Sequence, residues 1–206
     1  MASRKSRVSK TAKSAKSTLN YKAERFRQAL HIMFGLIVAL SAADFGRDAV
    51  LVGLVCFFAV FTTIINTEVV RRKTTFHIFF MELERKVELP GRGALMYVVG
   101  MLLLYSFAPT LSFAIGITLM FAFGDGIATL VGRKGRSPVP WNPGKTFEGV
   151  VAFATPAFVA GAYFLGVGPA LAYALVLALV ESYDWGADDN FVVPVAALAL
   201  WNLVPA

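Results

Sequence analysis

Seven apolar stretches, most close to the length that crosses a bilayer, recur along this chain of 206 residues, separated by short polar or Gly- and Pro-bearing breaks. They run over about 27–43, 49–66, 93–108, 110–127, 147–165, 168–183 and 190–204. A hydrocarbon core of about 30 Å takes about 20 helical residues. Within it every backbone N–H and C=O must be paired inside the segment, which favours helices. With 57% of its residues hydrophobic, a soluble domain of this size would leave much apolar surface wet. The sequence therefore predicts an all-α, polytopic membrane protein with about seven transmembrane helices. A six-span version, with one weak segment re-entrant, fits the same pattern.

Charge orients the spans. Asp44-Phe45-Gly46-Arg47-Asp48, Phe107-Ala108-Pro109-Thr110 and Gly166-Val167-Gly168-Pro169 are tight connections that fall on one side. Of the 20 Lys and Arg residues, only Arg47 belongs to this set. The rest fall in the N-terminal stretch, in 66–92 and in 132–145, and the positive-inside rule makes that side, with the N-terminus, cytoplasmic. Residues 1–25 are rich in Lys, Arg and Ser and have no acid before Glu24. They read as a disordered basic cytoplasmic tail ahead of a single transmembrane catalytic domain over 26–206, although their composition also resembles an organellar transit peptide. After Arg71-Arg72-Lys73, the helical spacing of Phe76, Phe79, Phe80, Leu83 and Val87 opposite charged residues predicts an interfacial helix. The net charge of +7 follows topology rather than one soluble face, which favours a bilayer surface and phosphate partners over nucleic acid. The single cysteine, Cys56, can form no intrachain disulfide. Nothing in the sequence sets an oligomeric state.

Polar residues gather where the greasy chain meets water. Asp125 follows the apolar run 117–123 directly, with Gly124 and Gly126 on either side. An acid at that depth is costly, and the glycines allow a ligand to approach the backbone, so Asp125 is a candidate Mg²⁺ ligand. The other reading is a helix-end acid paired with a neighbouring Arg. Gly132-Arg133-Lys134-Gly135 offers N–H groups and cations to phosphate oxygens, or is a glycine cap with topogenic charge. Gly144-Lys145-Thr146 imitates the end of a Walker A loop, but Val139 stands where that loop needs a glycine and no strand is expected before it. What remains is Lys145 with the Thr146 hydroxyl at a helix start, a place that suits phosphate. Glu148 either assists a metal or stabilises the first helical turn. Glu181 and Asp188-Asp189-Asn190 form a second acidic cluster, and Arg27 and His31 project from one helix face at i, i+4.

Gly124-Asp125-Gly126-Ile127-Ala128-Thr129-Leu130-Val131-Gly132-Arg133, followed by Gly144-Lys145-Thr146-Phe147-Glu148-Gly149, resembles the signature of the CTP-dependent lipid kinases, which include dolichol, phytol and diacylglycerol kinases. The likeness extends to Arg27, His31 and Gly35, to Tyr97-Val98-Val99-Gly100, and to Glu181, Asp188-Asp189-Asn190 and Pro194, and so covers most of the chain after residue 25. Gln28 departs from it, since the family often has a Lys after the Arg.

The resemblance implies transfer of the γ-phosphoryl of CTP to a membrane-embedded lipid alcohol, with a divalent cation such as Mg²⁺ as cofactor. An isoprenoid alcohol (dolichol or polyprenol, phytol or geranylgeraniol) is the expected acceptor. Catalysis would fall to Asp125, His31 and Arg27. Gly124, Gly126, Gly132, Arg133, Gly135, Lys145, Thr146, Gly149 and Asn190 would bind the nucleotide, and Asp125, Glu148 and Asp189 the metal. Either His31 or Asp125 would accept the hydroxyl proton. A CTP-dependent phosphatidate-type cytidylyltransferase is the alternative enzyme. A small-solute transporter is the alternative from another class, and it fits less well because the polar residues cluster at one face rather than at mid-membrane.

Overall fold

The computed structural model describes residues 2–71 and 91–205. Helix α1 (Ala2–Arg71) is followed by α2 (Arg92–Phe107) and α3 (Leu111–Gly132). A small antiparallel hairpin, β1 (Pro138–Val139) and β2 (Asn142–Thr146), then leads into α4 (Phe147–Leu165), α5 (Val167–Ser182) and α6 (Asp189–Leu200). The predicted amphipathic helix around Phe76 to Val87 lies outside the described residues.

Gly46, with φ 83° and ψ 178°, breaks α1 into two arms. A straight helix would hold Phe34 and Phe57 about 35 Å apart, yet their ring centroids are 5.2 Å apart, so the second arm folds back along the first. With these two arms, helical segments occupy all seven stretches expected from hydropathy. Lys22–Thr67, Leu111–Gly132 and Phe147–Leu165 are long and apolar enough to cross a membrane, and α2, α5 and α6 are apolar but shorter. Ile37, Leu40, Val52, Val159, Leu171 and Leu175 are exposed on the outside of the bundle, as a lipid-facing surface requires.

Two boundaries differ from expectation. Helix also occupies the basic stretch expected to be disordered, where residues 2–20 hold no Gly or Pro to interrupt it. And α3 runs to Gly132 instead of ending near 127, so Asp125 is an internal helical residue.

Helix α3 is the centre of the bundle: 61% of its most apolar window is buried, against 17% for α1. It crosses α4 closely because Gly124 receives the ring of Phe153, and because Gly132 and Gly149 bring their backbones together. Small residues at such crossings let apolar helices approach without side chains between them. On the far side of the bundle Pro194 and the Asn190 carbonyl of α6 rest on Gly100 of α2.

Hydrogen bonds give the bundle two distinct ends. Arg47 Nη2 donates to the Ala108 carbonyl (2.8 Å) and Ser112 Oγ to the Phe164 carbonyl (3.0 Å). These bonds tie together the three turns that the charge pattern had grouped on one side. The charged clusters described next all lie at the other end.

Candidate functional site

The chain between α3 and α4 is held in place by side chains that fold it back on itself. Glu148 accepts from the backbone N–H groups of Arg136 (2.9 Å) and Ser137 (3.3 Å). Thr146 caps α4, accepting from Gly149 N (3.2 Å) and donating to the Gly132 carbonyl (3.3 Å). At the hairpin tip, Trp141 Nε1 donates to Ser182 Oγ (3.0 Å) and Asn142 Nδ2 to the Ser182 carbonyl (3.2 Å). The hairpin is thereby pinned over the end of α5, and Lys145 points inward. Its ammonium is bonded to Glu181 and to Asp189 Oδ2 (3.0 Å). Burial disfavours the charged form of Lys145, but the carboxylates of Glu181, Asp189 and Asp125 outweigh it and hold its pKa above the ordinary lysine value.

A second charged group is built around Glu24, which is buried. Its carboxylate takes Arg27 and Gln28 Nε2 (2.9 Å) on one oxygen and Arg133 Nη1 (3.0 Å) on the other. Spacing of i+3 and i+4 puts Arg27 and Gln28 on the Glu24 face. Arg133 arrives from the end of α3. This explains Gln28, the departure from the expected basic pair: it is an amide donor to the same acid.

The third group is different in kind. His31 on the first arm of α1 faces Asp125 on α3, with Nε2 3.6 Å from Oδ2 and both side chains nearly buried (11% and 14% exposed). Among the described residues, neither His31 Nε2 nor the Tyr97 hydroxyl has a hydrogen-bond partner. The His31 ring is packed edge-on to Tyr97 (4.6 Å) and Phe121 (5.1 Å). Gly124 and Gly126 are filled by their neighbours, Phe153 and Ile32. Their small size lets two helices close around Asp125, where the sequence suggested open backbone for a ligand.

One cavity of about 960 Å³ joins all three groups. Of the residues singled out in the sequence, Arg27, His31, Asp125, Gly132 and Arg133 line it from α1 and α3. Lys145, Thr146, Gly149, Asp189 and Asn190 line it from the other wall. Gly124, Gly126, Gly135 and Glu148 do not. Glu148 is occupied in bracing the 136–137 backbone, and Gly135 is closed off by Thr146 and Glu148. Among the described residues no three His, Cys, Asp or Glu side chains converge as a ready metal cage. Glu24 and Tyr97 were not identified as site residues from sequence, though the i+3 relation of Glu24 to Arg27 is visible there.

No family model matches the chain, and no solved structure does. An uncharacterized protein of Methanocaldococcus jannaschii is 26% identical over 183 residues, covering 83% of this chain and 88% of that protein. Probable phytol kinase 2, chloroplastic, of Oryza sativa subsp. japonica is 33% identical over 108 residues, covering 44% of this chain and 36% of the rice protein. Probable phytol kinase 3, chloroplastic, of Glycine max is 31% identical over 99 residues, covering 39% of this chain and 31% of the soybean protein. The match thus spans about a third of the length of each plant protein.

Proposed function

We propose that this chain is a multi-pass membrane kinase that transfers the γ-phosphoryl of CTP to the hydroxyl of an isoprenoid alcohol, with its active face cytoplasmic. The observation that carries the reading is the single cavity that joins cations suited to a polyphosphate with a buried His–Asp pair lacking a donor. Two partial relatives named as probable phytol kinases support the same class of reaction. The seven helical segments act as spans, and the basic residues face the cytoplasm.

Phosphoryl transfer asks chiefly for positioning and charge neutralisation. Lys145, Arg27 and Arg133 supply the positive charge for the triphosphate, preset by carboxylates that share each cation with the ligand. Asn190 lines the same wall and is positioned by its own bond to the Gly93 carbonyl (3.2 Å). His31 Nε2 and Asp125 Oδ2 lie where the acceptor hydroxyl gives up its proton. The alcohol oxygen forms a bond to the γ-phosphorus as the proton passes to this pair. The bond from that phosphorus to the β–γ bridging oxygen breaks, and CDP leaves with the electron pair.

Mg²⁺ fits the donor set. Asp125 and Asp189 present oxygen ligands on the cavity wall, Asp125 accepts no hydrogen bond among the described residues, and this ion uses one or two carboxylates plus substrate phosphates. When bound it would neutralise charge on the phosphates.

The test uses purified full-length protein in nanodiscs with γ-labelled CTP or ATP and a panel of phytol, geranylgeraniol, dolichol and diacylglycerol. Label on the lipid alcohol from CTP is expected. Label released as pyrophosphate would indicate a cytidylyltransferase, and no transfer from either nucleotide would end the kinase reading.

A further inference from the structure

The cavity does not stop at the charged groups. It continues along Leu30, Met33 and Phe34 on the first arm of α1 and Phe57 and Phe61 on the second. Five aromatic rings form an unbroken row on this route. Phe61 stacks on Phe57 (5.5 Å), Phe57 meets Phe34 (5.2 Å), Phe34 meets Tyr97 (5.4 Å) and Tyr97 meets His31 (4.6 Å). The inner end of the row is the imidazole whose Nε2 has no hydrogen-bond partner among the described residues. Phe57, second from the outer end, is 39% exposed, and Met33 beside the route is 50% exposed, so the row runs from the apolar flank of the bundle to the His31–Asp125 pair.

We infer that the hydrocarbon chain of the acceptor alcohol lies along this aromatic row, entering sideways from the bilayer between the two arms of α1, with its hydroxyl at His31 and Asp125. The inference rests on the kinase reading for the identity of the hydroxyl compound. The route itself follows from the geometry. A chain whose hydroxyl is held at His31 cannot run toward Lys145, Arg133 and Asp189, because apolar carbon there would strip water from charged groups without replacing their bonds. The continuous apolar lining leads the other way.

The row is also selective. A single file of rings, most of them meeting edge-on or tilted, lines a path for one slender chain, and the regularly spaced branch methyls of an isoprenoid offer each ring a contact. A glycerolipid presents two chains and a glycerol backbone at the same depth. Phe57 is then a specificity residue: it sits mid-row, away from the charged groups, and is half exposed, so its replacement leaves the folded core intact.

Two measurements on full-length protein in nanodiscs test the route. In the first, a geranylgeraniol analogue carrying a diazirine on its tail is photolysed without nucleotide, and the adducts are mapped by mass spectrometry. Adducts at 30–34 and 57–61 that unlabelled geranylgeraniol competes away are expected. Non-competable adducts, or adducts only on the outer faces of α4 and α5, would overturn the route. In the second, Phe57→Trp should raise the KM for geranylgeraniol by about tenfold, the scale on which an apolar pocket responds to a change in fit. The KM for CTP should stay unchanged. Equal shifts in both constants, or no shift in either, would overturn it. Mapped adducts in a protein inactive with CTP would retain the route and reject the kinase reading, whereas CTP-dependent activity without adducts on the row would do the reverse.

Discussion

The Lys145 wall and the His31 wall of the cavity are both polar and largely buried, but they differ in how their groups are satisfied. Lys145, on its wall, lies between Glu181 and Asp189, and Arg27 and Arg133, across the cavity, share Glu24, so these three cations already have partners. On the His31 side, Nε2 and the Tyr97 hydroxyl have no hydrogen-bond partner among the described residues, and Asp125 Oδ2 stands 3.6 Å from the imidazole. Buried polar groups are nearly always bonded, and an exception calls for an explanation such as a catalytic role or a bound species. Paired cations fix a shape that an anion can join. His31 Nε2 and Asp125 Oδ2 can accept from a hydroxyl, and the Tyr97 O–H can donate to an oxygen.

The His31 wall should therefore tolerate charge removal structurally and fail chemically. Asp125→Asn keeps the shape of the side chain and removes its basicity and charge, so kcat should fall by about 10³, within the range for a general base or an electrostatic partner of one. Thermal stability in detergent should change little. Near-normal kcat in a correctly folded variant would remove Asp125 from the chemistry.

The Lys145 wall should behave in the opposite way. Lys145→Met leaves Glu181 buried beside Asp189 without its counter-ion, and removing one partner of such a pair costs about 3 kcal/mol, read as a lower midpoint of thermal unfolding. Adding Glu181→Gln should restore most of that loss, which a purely catalytic lysine would not predict. The sign of the pH effect follows from the raised pKa of Lys145. Its contribution is fully present below the unfolded lysine value of about 10.4 and is lost only as pH climbs through the higher folded value. Because the cost of Lys145→Met falls on carboxylate charge that the ammonium no longer offsets, and protonation removes that charge as pH falls, the difference in stability between wild type and Lys145→Met should widen as pH rises from 6 to 9; a flat difference would mean that the acids stay ionised in the variant throughout.

Glu24→Gln makes a smaller change. Arg27 and Arg133 lose a charged acceptor but keep a neutral one, so the KM for CTP should rise about threefold to tenfold with kcat held, because charge-assisted bonds are roughly twice as strong as neutral ones. A fall in kcat with KM constant would place Glu24 in the chemistry instead of behind it.

The seven helical segments were legible because run length and hydropathy are properties of consecutive residues. The end of α3 was not. A glycine-flanked aspartate after an apolar run reads as a helix leaving the membrane, and only the ring of Phe153 against Gly124 and the side chain of Ile32 against Gly126 reveal a tight helix crossing. The hairpin was hidden for a similar reason. Its strands are short, carry Pro138 and Pro143, and lack alternation, and they are fixed by Trp141 and Asn142 bonding to Ser182 some 40 residues away. Lys145, Asp125 and Asp189 could be singled out because charge in an apolar chain is expensive wherever it sits. Which acid partners which cation depended on contacts between distant segments: Arg133 reaches Glu24 across 109 positions.

Thr146 is the finest probe of the contrast between the two walls, because it belongs to both descriptions. It lines the cavity beside Lys145, yet its hydroxyl is spent on the α4 cap and the Gly132 carbonyl. If those bonds are its whole role, Thr146→Ala should cost about 1 kcal/mol, typical of a lost N-cap. In a protein of this size that lowers the unfolding midpoint by about 2–4 °C. Thr146→Ser, which keeps the hydroxyl, should recover most of it. Both variants should keep the wild-type KM for CTP. A tenfold rise in that KM for the alanine variant, with the unfolding midpoint unmoved, would mean that the hydroxyl turns from the cap to a phosphate oxygen when nucleotide arrives. The Lys145 wall would then hold a ligand-seeking group of its own, and the division between a paired wall and an unpaired one would describe the empty cavity only.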